Sequence, residues 1–433
     1  MASYVFPSAE HSRFIHSLGV FATAMETYAV LKKRAEPCVV TTPGLRFDDA
    51  TEIDFCLAAM CHDIGHTAFS HVLEGRLLPA GMRRHEECTI EILLSTPLKD
   101  IIEDIADLDG ILLLISREHP NKALSSLISG PFDVDRCDYL LRDSRMAGVD
   151  CGQFDFAWLL HSMGIDLNDL DQPILVLDGP RGIDSLRQFL SARRYMHRQI
   201  YYHPTIRAGQ LLLKGIFERA VEAELGDTII TQAPYGLRNY LRGRSVSVGD
   251  FLATTDVNVM YLIKLLANIS ADDTLSELCQ MFVRREYPKC VLDSAKTYGS
   301  FEQVHGIIDP YEMDELESFQ LALWADRNPV KAVEFEAECR ELVQARLSAL
   351  GRPPGLAKYL VSSDKVKFRS DPPTDFMFSY DGANVPLEGI NHEAVGYNVP
   401  RLLESFEMFR FFAPEESKEA VREIAKRHGA GER

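Results

Sequence analysis

Apolar residues recur every three or four positions over most of the first 270 residues, which is the spacing of one face of an α-helix. Four apolar residues between Phe14 and Met25 follow this spacing and predict a helix from Ser12 to about Lys33. Three more helices are predicted on the same grounds, from Asp48–Asp49 to His62–Asp63, from Pro131–Asp133 to about Arg145, and from Ile183 to Tyr202. The pattern therefore predicts a helical region over residues 1–270.

The pattern changes after about Ala271, where short apolar runs alternate with helical stretches. The short runs predict strands at Pro288–Leu292, Lys358–Val361 and Phe376–Tyr380. Two helices are predicted in the same part of the chain, at Ala332–Leu350 and Arg401–Phe411. We expect a mainly α protein, with a helical core over residues 1–270 and a smaller C-terminal α/β region over residues 271–433.

The composition is that of a globular protein, with 46% hydrophobic and 25% charged residues. A net charge of -18 disfavours a nucleic acid as the main partner, because such proteins neutralise phosphates with Lys and Arg. The 9 Cys form no Cys-x-x-Cys pair, and no secretory signal precedes the first helix. The apolar run from Ile111 to Ile115 is too short to cross a bilayer. We expect a soluble cytoplasmic protein.

Histidines and carboxylates cluster at the end of the second predicted helix. His62 and Asp63 are adjacent, and His66, His71 and Glu74 follow within twelve positions. Imidazoles and carboxylates are ligands for divalent metals and are also the usual groups for proton transfer. A polar helix end is the alternative interpretation of this segment.

Two remote segments carry further candidate ligands. His16 lies on an otherwise apolar helix face, where a single histidine is more often a structural residue. In the third helix, Asp135, Tyr139 and Asp143 are four residues apart and share one face. That stripe is either a solvated face or a ligand-binding face. The presence of the His-Asp cluster in the same chain favours a ligand-binding face.

One face of the fourth predicted helix begins with apolar residues and continues with polar ones. Leu186 and Phe189 begin an apolar stripe that continues through Arg193, His197 and Tyr201. Polar groups on a buried stripe need partners or a cavity. The sequence therefore favours a pocket lined by a cation, an imidazole and a phenol, with simple exposure to solvent as the alternative.

These segments together resemble the HD-domain deoxynucleoside triphosphate (dNTP) triphosphohydrolases. The resemblance covers about Tyr4 to Pro204 and is closest to the branch that contains the SAM-and-HD-domain enzyme, although no SAM domain is present. The matching motifs are Tyr4-Val-Phe-Pro, His11-Ser-Arg13-Phe-Ile-His16-Ser-Leu-Gly, Cys61-His62-Asp63-Ile-Gly-His66, Phe69-Ser-His71, His85-Glu86, Asp133-Val-Asp135-Arg136-Cys-Asp-Tyr139-Leu-Leu-Arg142-Asp143, and the segment from Arg193 to His203.

The resemblance implies a role for each site residue. One divalent metal ion (Mn, Fe, Zn or Mg) would be bound by His16, His62, Asp63 and Asp135. The catalytic network would comprise His66, His71, Glu74 and His85, with His71 as the proton donor to the leaving group. The triphosphate would be held by Arg13, Arg136 and Arg193. The sugar would be contacted by Tyr139, Asp143, His197 and Tyr201.

The implied function is hydrolysis of dNTPs to a deoxynucleoside and inorganic triphosphate, by a homo-oligomer with a nucleotide as its ligand. Two alternatives stay open: an HD-type nucleotidase or phosphodiesterase acting on another phosphorylated nucleotide, and a non-catalytic nucleotide sensor. The sequence departs from the family in several places. Glu74 stands where an Asp is usual and Arg136 where a Lys is usual, and Pro204 replaces a Lys used in nucleotide-driven assembly. The Gln-Leu pair that the family carries before the Tyr-Val-Phe-Pro motif does not precede Tyr4, so either the start is misassigned or that wall of the pocket is missing.

Overall fold

The computed structural model describes residues 1–41, 46–168, 170–293, 329–369, 376–380, 383–389 and 405–430. Nineteen α-helices lie in this part of the chain. They are α1 Arg13–Thr41, α2 Asp49–Cys61, α3 Glu74–Leu77, α4 His85–Ser95, α5 Leu98–Glu103, α6 Leu108–Ile115, α7 Lys122–Ile128, α8 Val134–Ala147, α9 Phe156–Ser162, α10 Gly179–Met196, α11 Pro204–Glu222, α12 Asp227–Gln232, α13 Arg238–Leu241, α14 Val248–Leu252, α15 Asp256–Ile269, α16 Asp273–Arg284, α17 Pro329–Ala349, α18 Ala357–Leu360 and α19 Lys418–Ala425.

Two small sheets accompany the helices. Their strands are β1 Met163–Leu167, β2 Pro173–Asp178, β3 Lys289–Asp293, β4 Ser362–Phe368, β5 Met377–Tyr380, β6 Ala383–Pro386 and β7 Phe406–Ala413. The first sheet has the order β1-β2-β5-β6, with β2 and β5 parallel and the other pairs antiparallel. The second is antiparallel throughout, in the order β3-β7-β4. The mainly α fold class is confirmed.

Local sequence explains where the site-bearing helices begin and end. The Asp48 carboxylate accepts a hydrogen bond from the Thr51 amide and caps α2, as Asp133 does for α8 through the Arg136 amide. Gly148 ends α8 at φ +69°, a left-handed conformation that costs glycine little. These caps fix the ends of the two helices that deliver carboxylates to the site.

Two hydrophobic cores organise the described residues. The first joins α1, α2, α6 to α10 and the first sheet, with Tyr28, Phe55 and Phe189 fully buried. The second joins α11 and α15 to α19 with the second sheet. Each core contains residues from both sides of position 270, so the division into 1–270 and 271–433 stays a prediction.

The sequence-based elements are mostly confirmed, with two corrections. The four N-terminal helices, the helix at α17 and the strands at β3 and β5 are present. Lys358–Val361 is not a strand: α18 occupies most of it, and strand β4 follows. Arg401–Phe411 is not a helix where it is described, because β7 begins at Phe406; residues 401–404 lie outside the described part. The hairpin of β1 and β2 had no sequence prediction.

Among the described helices, α1 is the one that is long and apolar enough, over Arg13–Ala35, to cross a membrane by length and composition. The core helices of globular proteins meet the same criterion. Val20, Ala24 and Tyr28 on α1 are fully buried in the first core. The helix therefore packs here as a core element.

Candidate metal and catalytic site

Four side chains from three helices converge at one point. One ligand atom each from His16, His62, Asp63 and Asp135 lies within 4.8 Å of the others. His16 is in the first turn of α1, His62 and Asp63 directly follow α2, and Asp135 is in the first turn of α8. Since α1 packs against both α2 and α8, the three helix ends bring the four groups together. This set is the one that the sequence predicted as the metal ligands.

His16 is oriented from behind by a carboxylate. Its Nδ1–H donates to Asp138 Oδ2 at 2.8 Å, so Nε2 is the nitrogen that faces the cluster, 2.9 Å from Asp135 Oδ1. Asp138 also accepts two hydrogen bonds from Arg142, at 2.7 and 2.8 Å. A carboxylate behind a ligating imidazole fixes the tautomer and makes the ring a better ligand.

The packing behind His16 depends on Gly19. A Cβ at this position would lie 2.1 Å from Asp138 Oδ1 and 2.0 Å from an Arg142 nitrogen. Any side chain there would displace the Asp138–Arg142 pair that holds the ring. Gly19 is thus required for the close approach of α1 to α8.

His62 presents a buried nitrogen with no protein partner. Its Nδ1–H donates to the Ala59 carbonyl at 2.7 Å, which leaves Nε2 as an acceptor. Nε2 is buried and makes no hydrogen bond to any described residue, although Asp63 and Asp135 oxygens lie 3.3 and 3.5 Å away. A buried polar atom without a partner is costly. An ion among these four groups would satisfy it, so the donor set fits a divalent metal.

The electrostatics of the cluster favour a positive charge at its centre. Burial would lower the pKa of His16, but hydrogen bonds to Asp135 and Asp138 outweigh burial and raise it to about 9. The same competition, with Asp63 and Asp135 as the nearby charges, raises the pKa of His62 to about 10. Despite burial, the imidazoles hold the pKa of both carboxyls well below the usual range. Protons occupy the cluster in the metal-free protein, and a metal cation would replace them.

A second histidine group adjoins the first. His66 stacks on His85 with ring centroids 3.7 Å apart, and His71 stands edge-on to both rings. Glu74 Oε2 accepts from His71 Nδ1 at 2.7 Å, and Oε1 accepts from His85 Nδ1 at 2.9 Å. Although burial would raise the pKa of Glu74, these hydrogen bonds lower it to about 2. One ionised carboxylate therefore orients two imidazoles.

His66 differs from its neighbours in being enclosed. Burial lowers its pKa to about 4 despite a contact with Asp63, so it is neutral at pH 7. His71, by contrast, is mostly exposed and faces the cavity. Of the two, the geometry suits His71 for proton exchange with a ligand and His66 for packing beside it.

The loop that carries His71 has an unusual backbone. Phe69 and Ser70 both adopt left-handed conformations, with φ of 55° and 54°. Such conformations cost free energy in non-glycine residues and persist where surrounding contacts hold them. Arg13 donates to Ser70 Oγ at 2.6 Å, and Asp256 accepts from the Phe69 amide at 2.8 Å. These contacts hold the loop beside the metal cluster.

A third group lies on the far side of the His16 cluster. Asp143 accepts hydrogen bonds from Tyr201 at 2.8 Å and from His11 at 2.9 Å. Tyr139 stands edge-on to Tyr201 with ring centroids 6.0 Å apart. His197 donates to the Arg193 carbonyl at 2.9 Å, and burial lowers its pKa to about 4. The residues from His197 to Tyr201 form a π-helical turn, a feature common at functional sites.

One cavity of about 700 Å³ connects the three groups. A volume of this order accommodates a nucleotide-sized ligand. The predicted site residues that line it are Arg13, His16, Asp63, His66, His71, His85, Asp135, Tyr139, Asp143, His197 and Tyr201. Most of the predicted site is thus in one place.

Two predicted triphosphate-binding residues are not among those lining the cavity. Arg136 pairs with Asp133 at 3.4 Å and donates to the Pro131 carbonyl. Arg193 donates to the Arg369 carbonyl at 3.2 Å and lies over the Phe368 ring. Both guanidinium groups lower the pKa of the Tyr139 hydroxyl, against the larger opposite effect of burial, and Tyr139 does line the cavity. Their role in phosphate binding stays a prediction.

Sequence reasoning assigned no role to several polar residues of the cavity. His11 and Ser70 are two of them, although both lie within matched motifs. Arg207 and Lys214 lie on α11, after the segment that resembles the family. Their spacing of seven residues, which places both on one helix face, was the available signal.

Comparison with known proteins gives relatives by sequence and by structure. The uncharacterized protein YwfO of Bacillus subtilis is 29% identical over 285 residues, or 65% of this chain and 61% of that protein. The deoxynucleoside triphosphate triphosphohydrolase SAMHD1 homolog of Dictyostelium discoideum is 29% identical over 230 residues, or 50% of this chain and 42% of that protein. The chain thus spans less than two thirds of the length of these relatives.

A solved structure extends the likeness to nearly the whole chain. The crystal structure of a phosphohydrolase from Bacteroides thetaiotaomicron superposes with a TM-score of 0.66 and 25% identity, covering 95% of this chain and 90% of that one. No model of a known protein family matches the sequence. By its fold, its ordered His-Asp motifs and these relatives, the chain is similar to HD-domain proteins and to the deoxynucleoside triphosphate triphosphohydrolases.

Proposed function

We propose that this protein is a metal-dependent phosphohydrolase that cleaves dNTPs into a deoxynucleoside and inorganic triphosphate. The observation that carries the proposal is the convergence of His16, His62, Asp63 and Asp135 at a nucleotide-sized cavity, which all but His62 line. The relatives named as triphosphohydrolases support the substrate class. A nucleotide is accordingly the proposed ligand.

The metal site and the histidine group have complementary tasks. When bound by the four ligands, a divalent ion supplies Lewis acidity, which offsets phosphate charge and makes water more acidic. The leaving group of dNTP cleavage is a 5′-alkoxide, which needs a proton as the P–O bond breaks. His71, in its imidazolium form, would supply that proton from Nε2 and remain protonated at Nδ1, which Glu74 holds. Arg13, which donates to Asp63 at 2.7 Å, is placed beside the ligand cluster to contact a phosphate oxygen.

The Asp143 group would recognise the sugar. Its carboxylate can accept a hydrogen bond from a 3′-hydroxyl beside those it takes from His11 and Tyr201. The Tyr201 ring, packed edge-on to Tyr139 and His197, would occupy the space that a 2′-hydroxyl needs. This arrangement supports selection of deoxyribose over ribose.

A second candidate function is hydrolysis of a nucleotide with fewer phosphates, or of a phosphodiester. The observation that favours it is the position of Arg136 and Arg193 outside the cavity lining, which leaves fewer cations for a triphosphate.

Homo-oligomerisation and a cytoplasmic location stay predictions of the sequence.

Product analysis separates these functions. The purified protein is assayed for bound metal, incubated with each dNTP and each ribonucleoside triphosphate, and the products are separated by anion exchange. We expect deoxynucleoside and inorganic triphosphate, formed faster from dNTPs than from ribonucleotides. Release of orthophosphate or pyrophosphate instead would contradict the proposal and favour the second function; no turnover with metal bound would favour a sensor.

A further inference from the structure

The cations that line the cavity are not equally available to an anion. Arg13 is paired with Asp63 at 2.7 Å. Arg207 makes a two-pronged pair with Asp364, at 2.8 and 2.6 Å. Lys214, on the same face of α11 as Arg207, makes no hydrogen bond or ion pair to any described residue. The Lys214 ammonium is thus the cavity cation without a carboxylate partner in the described part of the chain.

Lys214 is also held in an environment short of negative charge. Burial, together with the nearby cations Arg207 and Arg76, lowers the pKa of its ammonium group. The side chain is half-buried, so water does not fully compensate for the missing partner. An anion entering the cavity would satisfy this group.

Gln210 adds a second donor on the same helix face. Its amide oxygen accepts from Arg207 at 2.7 Å, and because a guanidinium only donates, the amide orientation is fixed. The amide NH₂ is then the end left to donate. Gln210 and Lys214 lie one helical turn apart, and both line the cavity.

The position of this face relative to the metal cluster follows from the packing of α11. The helix packs against the turn Ser70–Val72, which carries His71. Lys214 and Val72 both line the cavity, and Arg76, two residues after Glu74, is one of the charges that act on Lys214. A ligand held at the metal cluster and extending past His71 would reach it.

We propose that Lys214 and Gln210 form a phosphoryl-binding subsite that takes the outer part of a polyphosphate chain. The inference rests on the proposed function, since it adds two phosphate-binding residues on α11 to those that the sequence predicted. It commits the site to substrates with an extended anionic group, in preference to a monophosphate.

Binding of inorganic tripolyphosphate to the protein as purified, with its metal, tests the subsite by calorimetry. Lys214→Met, which keeps the chain length without the charge, should weaken tripolyphosphate about tenfold or more and orthophosphate much less. Lys214→Arg should retain most of the affinity. Arg76→Gln removes a charge close to Lys214 but outside the cavity lining, and it should bind as the parent does.

Two results would overturn the subsite. One is a Lys214→Met protein that binds tripolyphosphate as the parent does. The other is a loss of tripolyphosphate affinity in Arg76→Gln equal to that in Lys214→Met, because any nearby positive charge would then have the same effect. Thermal melting checks that each variant folds, and Lys214→Gln replaces the Met variant if that one does not. If tripolyphosphate affinity depends on Lys214 but the protein does not turn over dNTPs, only the proposed function is refuted. If the protein turns over dNTPs but tripolyphosphate affinity does not depend on Lys214, only the subsite is refuted.

Discussion

Proton placement on two histidines decides what the central cluster can bind. His16 gives its Nδ1–H to Asp138 and His62 gives its Nδ1–H to a backbone carbonyl, so on both rings Nε2 faces the carboxylates and can bind a metal once its own proton leaves. The identity of the ligands was predictable from the sequence, because the motifs name them. Asp138 was not predicted as the residue that orients His16, since its role depends on the packing of α1 against α8 across 122 positions of the chain.

Metal affinity should rise with pH. In the metal-free protein the pKa of His16 is raised to about 9 and that of His62 to about 10, so both rings are protonated at pH 7. Metal must displace these protons, and the competition weakens as pH increases. We expect the affinity for Zn²⁺ or Mn²⁺ to increase by roughly tenfold or more per pH unit from pH 6 to pH 9. Titration against a chromogenic chelator measures the affinity at each pH. An affinity that does not change between pH 6 and pH 9 would contradict the raised pKa values of His16 and His62.

His71→Gln should separate catalysis from metal binding. Its imidazole lies outside the four-ligand set and is held by Glu74, so its loss removes a proton donor without removing a ligand. We expect turnover to fall by about 10²–10⁴-fold with the metal content unchanged. His161→Gln, an exposed histidine on α9 that bonds the Ala157 carbonyl, is the control and should keep parental turnover. Near-normal turnover in the His71 variant would exclude it as the acid.

The site requires the start of α4 to lie close to the His-Asp segment that follows α2. Gly65 lies between the His-Asp pair and His66, and a Cβ at this position would lie 2.1 Å from the His85 carbonyl oxygen and 2.4 Å from the Thr89 amide. Glycine therefore lets the start of α4 approach the His-Asp segment. Such close approach between backbones has no signature in a single sequence.

Gly65→Ala should destabilise the protein and disturb His85. The added methyl group meets backbone atoms, which cannot rotate away, so we expect a loss of about 1–3 kcal/mol or more in the free energy of unfolding. Gly75→Ala is the matched control, because a Cβ there meets nothing within 4 Å. Urea denaturation compares the two, and equal stability of both variants would contradict the steric account.

Strand prediction failed or succeeded for identifiable reasons. Strand β7 is the middle strand of its sheet, and its last four residues are all buried, so it lacks the alternation that distinguishes a strand from a helix. Strand β4, in contrast, alternates strictly between buried and exposed residues. Its alternation of Lys365 and Lys367 with Val366 and Phe368 was a usable signal, and the predicted strand was simply placed too early.

At the scale of the whole molecule, the C-terminal sheet supports the wall of the cavity. Arg410 on β7 pairs with Asp293 on β3 at 3.1 Å and donates to the Tyr202 carbonyl next to Tyr201. The Tyr202 hydroxyl in turn donates to the Lys367 carbonyl on β4 at 3.1 Å. These contacts join positions that are 165 and 208 residues apart, which periodicity cannot reveal.

Arg410→Leu should weaken the whole structure. Both Arg410 and Asp293 are buried, so removal of the guanidinium takes a cation away from a buried carboxylate. We expect a loss of about 3–5 kcal/mol in the free energy of unfolding, together with reduced turnover. Lys365→Gln, which breaks the half-exposed pair with Glu407 on the same sheet, should cost about 0–1 kcal/mol. Equal effects of the two changes, measured by urea denaturation, would refute the supporting role of Arg410.

Metal stoichiometry tests the centre of the whole account. Elemental analysis of the purified chain should find one divalent ion per molecule, and His62→Ala and Asp135→Asn should each remove nearly all of it. Asp143→Asn, altered within the same cavity but outside the four ligands, should retain the ion. Full metal content in His62→Ala and Asp135→Asn, or loss of the ion only when His66, His71 or His85 is replaced, would contradict the four-ligand site.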